Sequence, residues 1–353
     1  MDNTNPESLK LKFLEFVESN KDEKSLSKLE PDEFRIATYN IHYFTDIHEI
    51  KSTYDGVLQD IRTISADVIG LQEFILGNKV KINTDVTVDL TNFYDDIDKM
   101  GYTKTVLCNS VPSWFKSLYG NIALIHDRVC NNSDTICTSI SETIHTFEKS
   151  TESVTVSGVH EGTNETRCYI KIKTSYNGNT IYIYITHLDV ASEELRKQQI
   201  QYIINNSKTY DKNVIVFIMG DFNTFDASDD SLPPKNEYTQ NNGQVIDELK
   251  NSGFFDCHAQ NKSKMTTWNN TRVDFIFCNK QISGDFRAEY LYTDNSDHLP
   301  VVLTLTKSTQ FNESKPFQKT GGKRSVKRRR QRKSKYSRNQ TPIRRRYKTT
   351  DSS

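Results

Sequence analysis

The chain has 353 residues, 35% of them hydrophobic, enough to bury a sizeable core as one large domain or two ordinary ones. Its 46 basic and 46 acidic residues cancel, but Lys315–Ser353 alone holds 16 Lys and Arg against one acid, Asp351, so residues 1–314 carry −15. No apolar run is long enough to span a bilayer and the polar, acidic N-terminus has no signal-peptide core, which excludes a helical membrane protein and points away from secretion.

Leu9, Phe13, Phe16 and Val17 fall at helical spacing and predict a short amphipathic helix packed on the body. "FRIATYNIHYF" alternates like a strand and ends its apolar pattern at Asn40; "TYDGVLQDIRTIS" reads as a helix and "ADVIGLQEF" as a buried strand reaching Glu73. Residues 77–100 are polar with weak patterning and read as a surface excursion. "YGNIALIHD" is a strand, and "CYIKIKTSYNGNTIYIYITHLD" is a hairpin turning at Asn177-Gly178. "SEELRKQQIQYIINN" is a helix whose apolar face holds Leu195, Ile200, Ile203 and Ile204. A strand, "VIVFIMGDFNTFD", follows, then a loop with Pro233-Pro234, a helix "VIDELKNSG" stopped by Gly253, and strands "TRVDFIFCN" and "LPVVLTLT".

The mixture lacks a strict βαβ repeat, so the expected fold is α/β with mixed sheets, most simply two of them stacked face to face. A helical extension over 1–33, a folded body over 34–306 and a disordered basic tail over 307–353 are the expected parts. Six cysteines without a CxxC pair read as free thiols in strands and, with the missing leader, favour a reducing intracellular compartment.

Apolar runs end at Asn40, at Glu73, at His187 and Asp189, at Asp221 and Asn223, and near Asp297-His298, while Asp274 lies inside another such run. Singly, each has a plainer explanation. Asp221 and Asn223 suit a turn; Asn40, His187 and Asn121 suit strand ends; Arg167 and Arg196 suit surface ion pairs; Trp268 suits a core edge. Brought to one cleft, these carboxylates, amides and two histidines would be hard donors for Mg2+ or Mn2+ and an acid–base set for phosphate-ester hydrolysis.

The ordered set "TYNIH", "DVIGLQE", "YGNIAL", "ETRCYIKI", "THLDVASEELRKQQ", "GDFNTFD", "TTWNNTRVDFIF" and "SDHLPV" resembles the endonuclease/exonuclease/phosphatase superfamily over roughly residues 34–306. The resemblance implies the deoxyribonuclease I-like fold, a four-layer α/β sandwich of two packed mixed β-sheets flanked by helices. It implies Asn40, Glu73 and Asp297 at the metal, with Glu73 the principal ligand. His187, Asp221, Asn223, Asp274 and His298 would be catalytic, and Asn121, Arg167 and Trp268 would meet the substrate. "THLD", "SEELRKQQ" and "TTW" are closer to the tyrosyl-DNA phosphodiesterase and sphingomyelinase branches than to the AP endonucleases.

The leading expectation is a divalent-metal-dependent phosphodiesterase acting on nucleic acid. A sphingomyelinase-like or inositol-phosphate phosphoesterase comes second, with "SVPSWFKSLYG" (Trp114, Phe115) the one candidate for membrane contact. The tail, 315–353, would bind any polyanion by counterion release, and "KRSVKRRRQRK" also reads as a nuclear localisation signal. In composition the tail resembles those of giant-DNA-virus proteins. The expectation is therefore a monomer that is intracellular, nuclear or virion-associated. A non-enzymatic polyanion-binding or virion protein is the reading from another class, and the intact acids and histidines weigh against it.

Overall fold

Strand segments that alternate two sets of apolar side chains have two faces to bury, and the fold covers both. The computed structural model describes residues 5–21, 26–110, 119–131, 141–146, 167–190, 192–226, 229, 243–263 and 265–313. In chain order the first elements are α1 (Pro6–Lys21), β1 (Phe34–Asn40), a 3-10 turn (His42–Phe44), α2 (Tyr54–Ile64), β2 (Val68–Ile75), β3 (Lys79–Lys81) and β4 (Thr87–Asp89). Next come α3 (Phe93–Asp98), β5 (Lys104–Ser110), β6 (Tyr119–Ile125), α4 (Asp127–Asn131), β7 (Ser141–Thr146), β8 (Cys168–Tyr176) and β9 (Asn179–His187). Then follow α5 (Glu193–Ser207), β10 (Ile215–Asp221), α6 (Gln244–Asn251), β11 (Phe255–Asp256) and β12 (Asp274–Cys278). The last are β13 (Gln281–Ser283), β14 (Phe286–Tyr290), β15 (Val301–Leu305) and β16 (Gln310–Asn312).

Two six-stranded mixed sheets run β14-β15-β1-β2-β6-β5 and β11-β12-β10-β9-β8-β7. Ile36, Val68, Ala123, Ile183, Ile185, Met219, Ile276 and Leu303 fill the space between them. The outer face of the first sheet packs Ala37, Ile69 and Leu71 against α2 and α3, through Val57, Ile61, Ile64 and Phe93. The outer face of the second packs Val216, Ile218 and Phe275 against α5 and α6, through Ile200, Ile203, Ile204, Val245 and Leu249. The result is four layers, helix–sheet–sheet–helix.

Each sheet holds one parallel pair among the described strands, β1 with β2 and β9 with β10, joined through α2 and α5 respectively. These are two βαβ units, and the carboxyl ends of such strands are where α/β sheets place their ligands. The remaining strand pairs are antiparallel, including the hairpin at Asn177-Gly178, where both turn residues have positive φ (53° and 75°) as a two-residue hairpin turn requires.

Several sequence expectations need correction. Residues 77–100 are no surface excursion: Val80, Val86, Val88, Leu90, Phe93 and Ile97 are all buried against the first sheet. Leu195 is 40% exposed, so the inner face of α5 is Ile200, Ile203 and Ile204, with Glu193 and Arg196 buried as an ion pair at 2.8 Å. Cys108 on β5 and Cys168 on β8 are not free thiols; they form a disulfide linking the two sheets, while Cys257 and Cys278 stay free and buried. That bond removes the cysteine argument for a reducing compartment. Past residue 306, β16 pairs with β13, so ordered structure continues beyond the compositional boundary. Trp114 and Phe115, Pro233-Pro234 and the tail 315–353 lie outside the described residues.

Candidate active site

The strand ends meet. Asn40 closes β1, and its Nδ2 donates to Glu73 Oε1 (3.2 Å) on β2 and to Asp221 Oδ2 (3.0 Å) on β10, bridging the two sheets. His187 closes β9 with Nε2 3.5 Å from Asp221 Oδ2 and 4.0 Å from Glu73 Oε1. The β10 register sets Asp221 opposite His187 on one side and Asp274, the first residue of β12, on the other. His298, just before β15, has Nδ1 2.9 Å from Asp274 Oδ2 and Nε2 3.9 Å from both Asp221 Oδ2 and Asp297 Oδ1.

Local backbone makes this convergence possible. Gly220 has φ +148°, and a Cβ there would sit 1.9 Å from the Thr186 carbonyl oxygen, so only glycine lets β10 lie against β9 beside Asp221. The β2–β6 pairing shifts register between Leu71 and Phe74, and within that bulge Glu73 takes φ 59°, which re-aims its side chain. Asn223 (φ 49°) and the run His42, Tyr43, Phe44 (φ 44°, 54° and 60°) are also left-handed without being glycine. Such conformations persist where surrounding structure holds them, and they cluster at functional sites.

The electrostatics follow from burying many acids together. Burial, with Asp297 adding, raises the Glu73 carboxyl above its ordinary range despite His42, His298 and Asn40 nearby. Burial and the Asp274 charge outweigh His298 and the Asn40 and Asn223 donors to bring Asp221 to about 7. Burial alone would lower the His298 imidazole, but Asp274 and Asp297 raise it well above its usual value, so it is an imidazolium at neutral pH. Burial, then Arg167 and His298, push His187 well below, so it is neutral.

Asn223 lies against Asp221: its N–H donates to Asp221 Oδ1 (2.8 Å) and its Nδ2 to the Leu188 carbonyl (3.0 Å). Asn121 is buried with Nδ2 on the Cys168 carbonyl (3.2 Å), while its Oδ1 is buried without a hydrogen bond. Arg167 is buried close enough to influence His187. Trp268 is partly buried, and its backbone N–H donates to the Asp297 carbonyl (3.2 Å). Asp189, an apolar-run end in the sequence, accepts from the Ser192 N–H (2.7 Å) at the start of α5.

Sequence reasoning missed a third imidazole. His42 Nδ1 lies 3.8 Å from Asp297 Oδ1 and Nε2 3.6 Å from Glu49 Oε1, and the His42 backbone N–H donates to Asn40 Oδ1 (3.1 Å). Against the effect of burial, Asp297, Glu49 and Glu73 raise it to about 9. The residue stands inside "TYNIH", so the strand-end logic that selected Asn40 could have reached it.

A hard divalent cation fits this donor set. The Glu73 carboxylate, its side chain 15% exposed, is hydrogen-bonded to the Asn40 amide, and Asp221, Asp274 and His298 each bring a ligand atom within 4.8 Å of the others. In the latter cluster Asp274 and His298 are already hydrogen-bonded to each other.

The profile of the Endonuclease/Exonuclease/phosphatase family matches residues 37–298. No curated protein matches the sequence. Solved structures of similar fold include an endonuclease/exonuclease/phosphatase from Beutenbergia cavernae (16% identity over 80% of this chain and 72% of that one, TM-score 0.56). Another, from Bacteroides vulgatus, is 17% identical over 79% of this chain and 99% of its own, with TM-score 0.53. The human Nocturnin catalytic domain, solved with a sulfate anion, is 16% identical over 83% and 98%, with TM-score 0.52. At these identities the likeness is one of fold.

Proposed function

The chain belongs to the Endonuclease/Exonuclease/phosphatase family, whose members are phosphoester hydrolases, and from that premise we propose that it is a divalent-cation-dependent phosphodiesterase acting on nucleic acid. The observation that carries the reading is the meeting of Asn40, Glu73, His187, Asp221, Asp274 and His298 from both sheets at one point.

Mg2+ or Mn2+ held by Glu73, Asn40 and Asp297 would supply positive charge for the phosphoryl oxygens. The remaining work falls to the chain's own groups. Asp221, flanked by the Asn40 and Asn223 donors, is placed to take the proton of an attacking water. His298, oriented through Nδ1 by Asp274, presents Nε2 to the same point as a cation that stabilises phosphoryl charge or protonates the departing oxygen. His187, neutral and fixed beside Asp221, donates one further hydrogen bond to a phosphoryl oxygen. Water's oxygen bonds to phosphorus, the ester P–O bond breaks, and the leaving oxygen takes a proton.

Nucleic acid is favoured over lipid or inositol phosphate by charge: residues 315–353 carry a net +15 beside a body at −15. Such a tail collects polyanions by counterion release and concentrates them near the cleft. The test is a substrate panel with Mg2+ or Mn2+: abasic duplex, 5′-tyrosyl oligonucleotide, plain single strand, sphingomyelin and an inositol phosphate. Cleavage of nucleic acid that is lost in Glu73→Gln and Asp221→Asn supports the reading; turnover confined to the lipid or the inositol phosphate overturns it.

A further inference from the structure

Helix α1 lies wholly before the matched family span, yet it touches three loops that adjoin residues of the site. Phe13 and Val17 anchor it in the core between the sheets. From there Phe16 meets the Tyr292 ring edge-on at 5.7 Å, Lys21 pairs with Asp294 at 3.2 Å, and Glu7 lies 3.5 Å from His48. The first two contacts fall on the segment leading into Asp297 and His298. The third falls on the segment that carries Glu49, the partner of His42.

Between these contacts, Lys10 sets its ammonium 5.7 Å from the centroid of the Trp268 ring. The Trp268 backbone is tied through its amide N–H to the Asp297 carbonyl, and the preceding Thr267 bridges to His298. The charge of Lys10 is also felt at Glu49. Among the described residues its ion-pair partner is Glu7 at 3.3 Å, whose side chain is 63% exposed. Water screens such a pair and makes it weak, whereas the tryptophan face holds an ammonium in place. The helix therefore has a positioned cation that an incoming anion can recruit.

Resting on the nucleic-acid reading above, we propose that Lys10 is a specificity-determining residue: its ammonium, seated over Trp268, binds a phosphate next to the scissile one. A polymeric diester has such a neighbouring phosphate, and a substrate with a single phosphate does not. The helix thus adds discrimination for chains over isolated esters without touching the reacting atoms.

The test compares the full-length protein with Lys10→Gln and Lys10→Arg on an oligonucleotide and on bis(4-nitrophenyl) phosphate, a diester with one phosphorus. Lys10→Gln should raise KM for the oligonucleotide roughly tenfold, the size of one charge-assisted contact, and leave its kcat and all turnover of the small diester unchanged. Lys10→Arg should restore the KM, and the difference should shrink as salt is added. An unchanged oligonucleotide KM overturns the proposal. So does an equal loss on both substrates, which would make Lys10 a support for the helix only. If the wild-type protein is idle on the oligonucleotide but hydrolyses another phosphoester, the substrate reading has failed and this proposal falls with it.

Discussion

Asp274 Oδ2 and His298 Nδ1 are 2.9 Å apart, and that bond turns the opposite ring nitrogen of His298 toward Asp221. Asp274 is fully buried and is the main source of the raised imidazole pKa. Asp274→Asn should lower kcat by about a hundredfold or more and move the alkaline limb of the pH–rate profile to lower pH, because the imidazolium then loses its proton sooner. Unchanged kcat with an unmoved limb would dismiss the pair as structural.

Glu73→Gln removes a carboxylate that burial already disfavours in the charged form. Metal-free, the variant should be at least as stable as the wild type at pH 7, since a buried charge becomes a neutral amide. Its Mn2+ binding, followed by calorimetry, should fall at least tenfold. Retained Mn2+ affinity would move the cation to another part of the cleft.

Asp60 offers a sign test for stability against pH. Burial raises its carboxyl from 3.8 to about 6, although Asn295, Thr293 and Tyr39 all donate to Oδ2. A raised folded-state pKa gives stability that is complete below the unfolded value near 4 and lost as pH rises through about 6, on the order of 3 kcal/mol. Asp60→Asn keeps an oxygen for the three donors and removes that loss. Its urea midpoint should therefore gain on the wild type between pH 4 and pH 8; a constant difference would refute the assignment.

The Cys108–Cys168 bond closes a loop with a sequence separation of 60. Restricting such a loop in the unfolded chain is worth about 4 kcal/mol. Cys108→Ser, and dithiothreitol treatment of the wild type, should lower Tm by similar amounts, and mass spectrometry of alkylated protein should count two fewer reactive thiols before reduction. Equal thiol counts before and after reduction would mean that the bond is not made.

Gly220→Ala puts a methyl against the Thr186 backbone oxygen at a φ that alanine rarely adopts. The expected loss is about 2–4 kcal/mol, with activity falling further because Asp221 is the next residue. Urea denaturation and turnover of a small diester would check both halves, and wild-type behaviour in both would contradict the backbone geometry.

The cleft was more legible in the sequence than the periphery, for physical reasons. Long apolar runs ending in Asn40, Glu73, His187 or Asp221 mark strand mouths, and Asn177-Gly178 has few conformations open to it. Residues 77–100 hid their burial because β3 and β4 are three residues each and α3 six, too short to display a period. Leu195 was misplaced because Glu193 and Arg196 occupy inward positions as a buried pair, which breaks the link between polarity and exposure. The cysteine bond left no local trace, since its partners come from strands of different sheets. His42 owes its place to three successive left-handed residues, a conformation that no composition announces.

At Gly70 on β2, a Cβ would lie 2.4 Å from Cγ2 of Ile185 on β9, two positions before His187. Bulk at that point would act as a shim between sheets that pack roughly 10 Å apart, spreading the Glu73 jaw from the His187–Asp221 jaw. The spacing of the two sheets at this point is thus set from inside the protein, so an added volume at Gly70 should disturb activity as readily as replacements among the acids themselves.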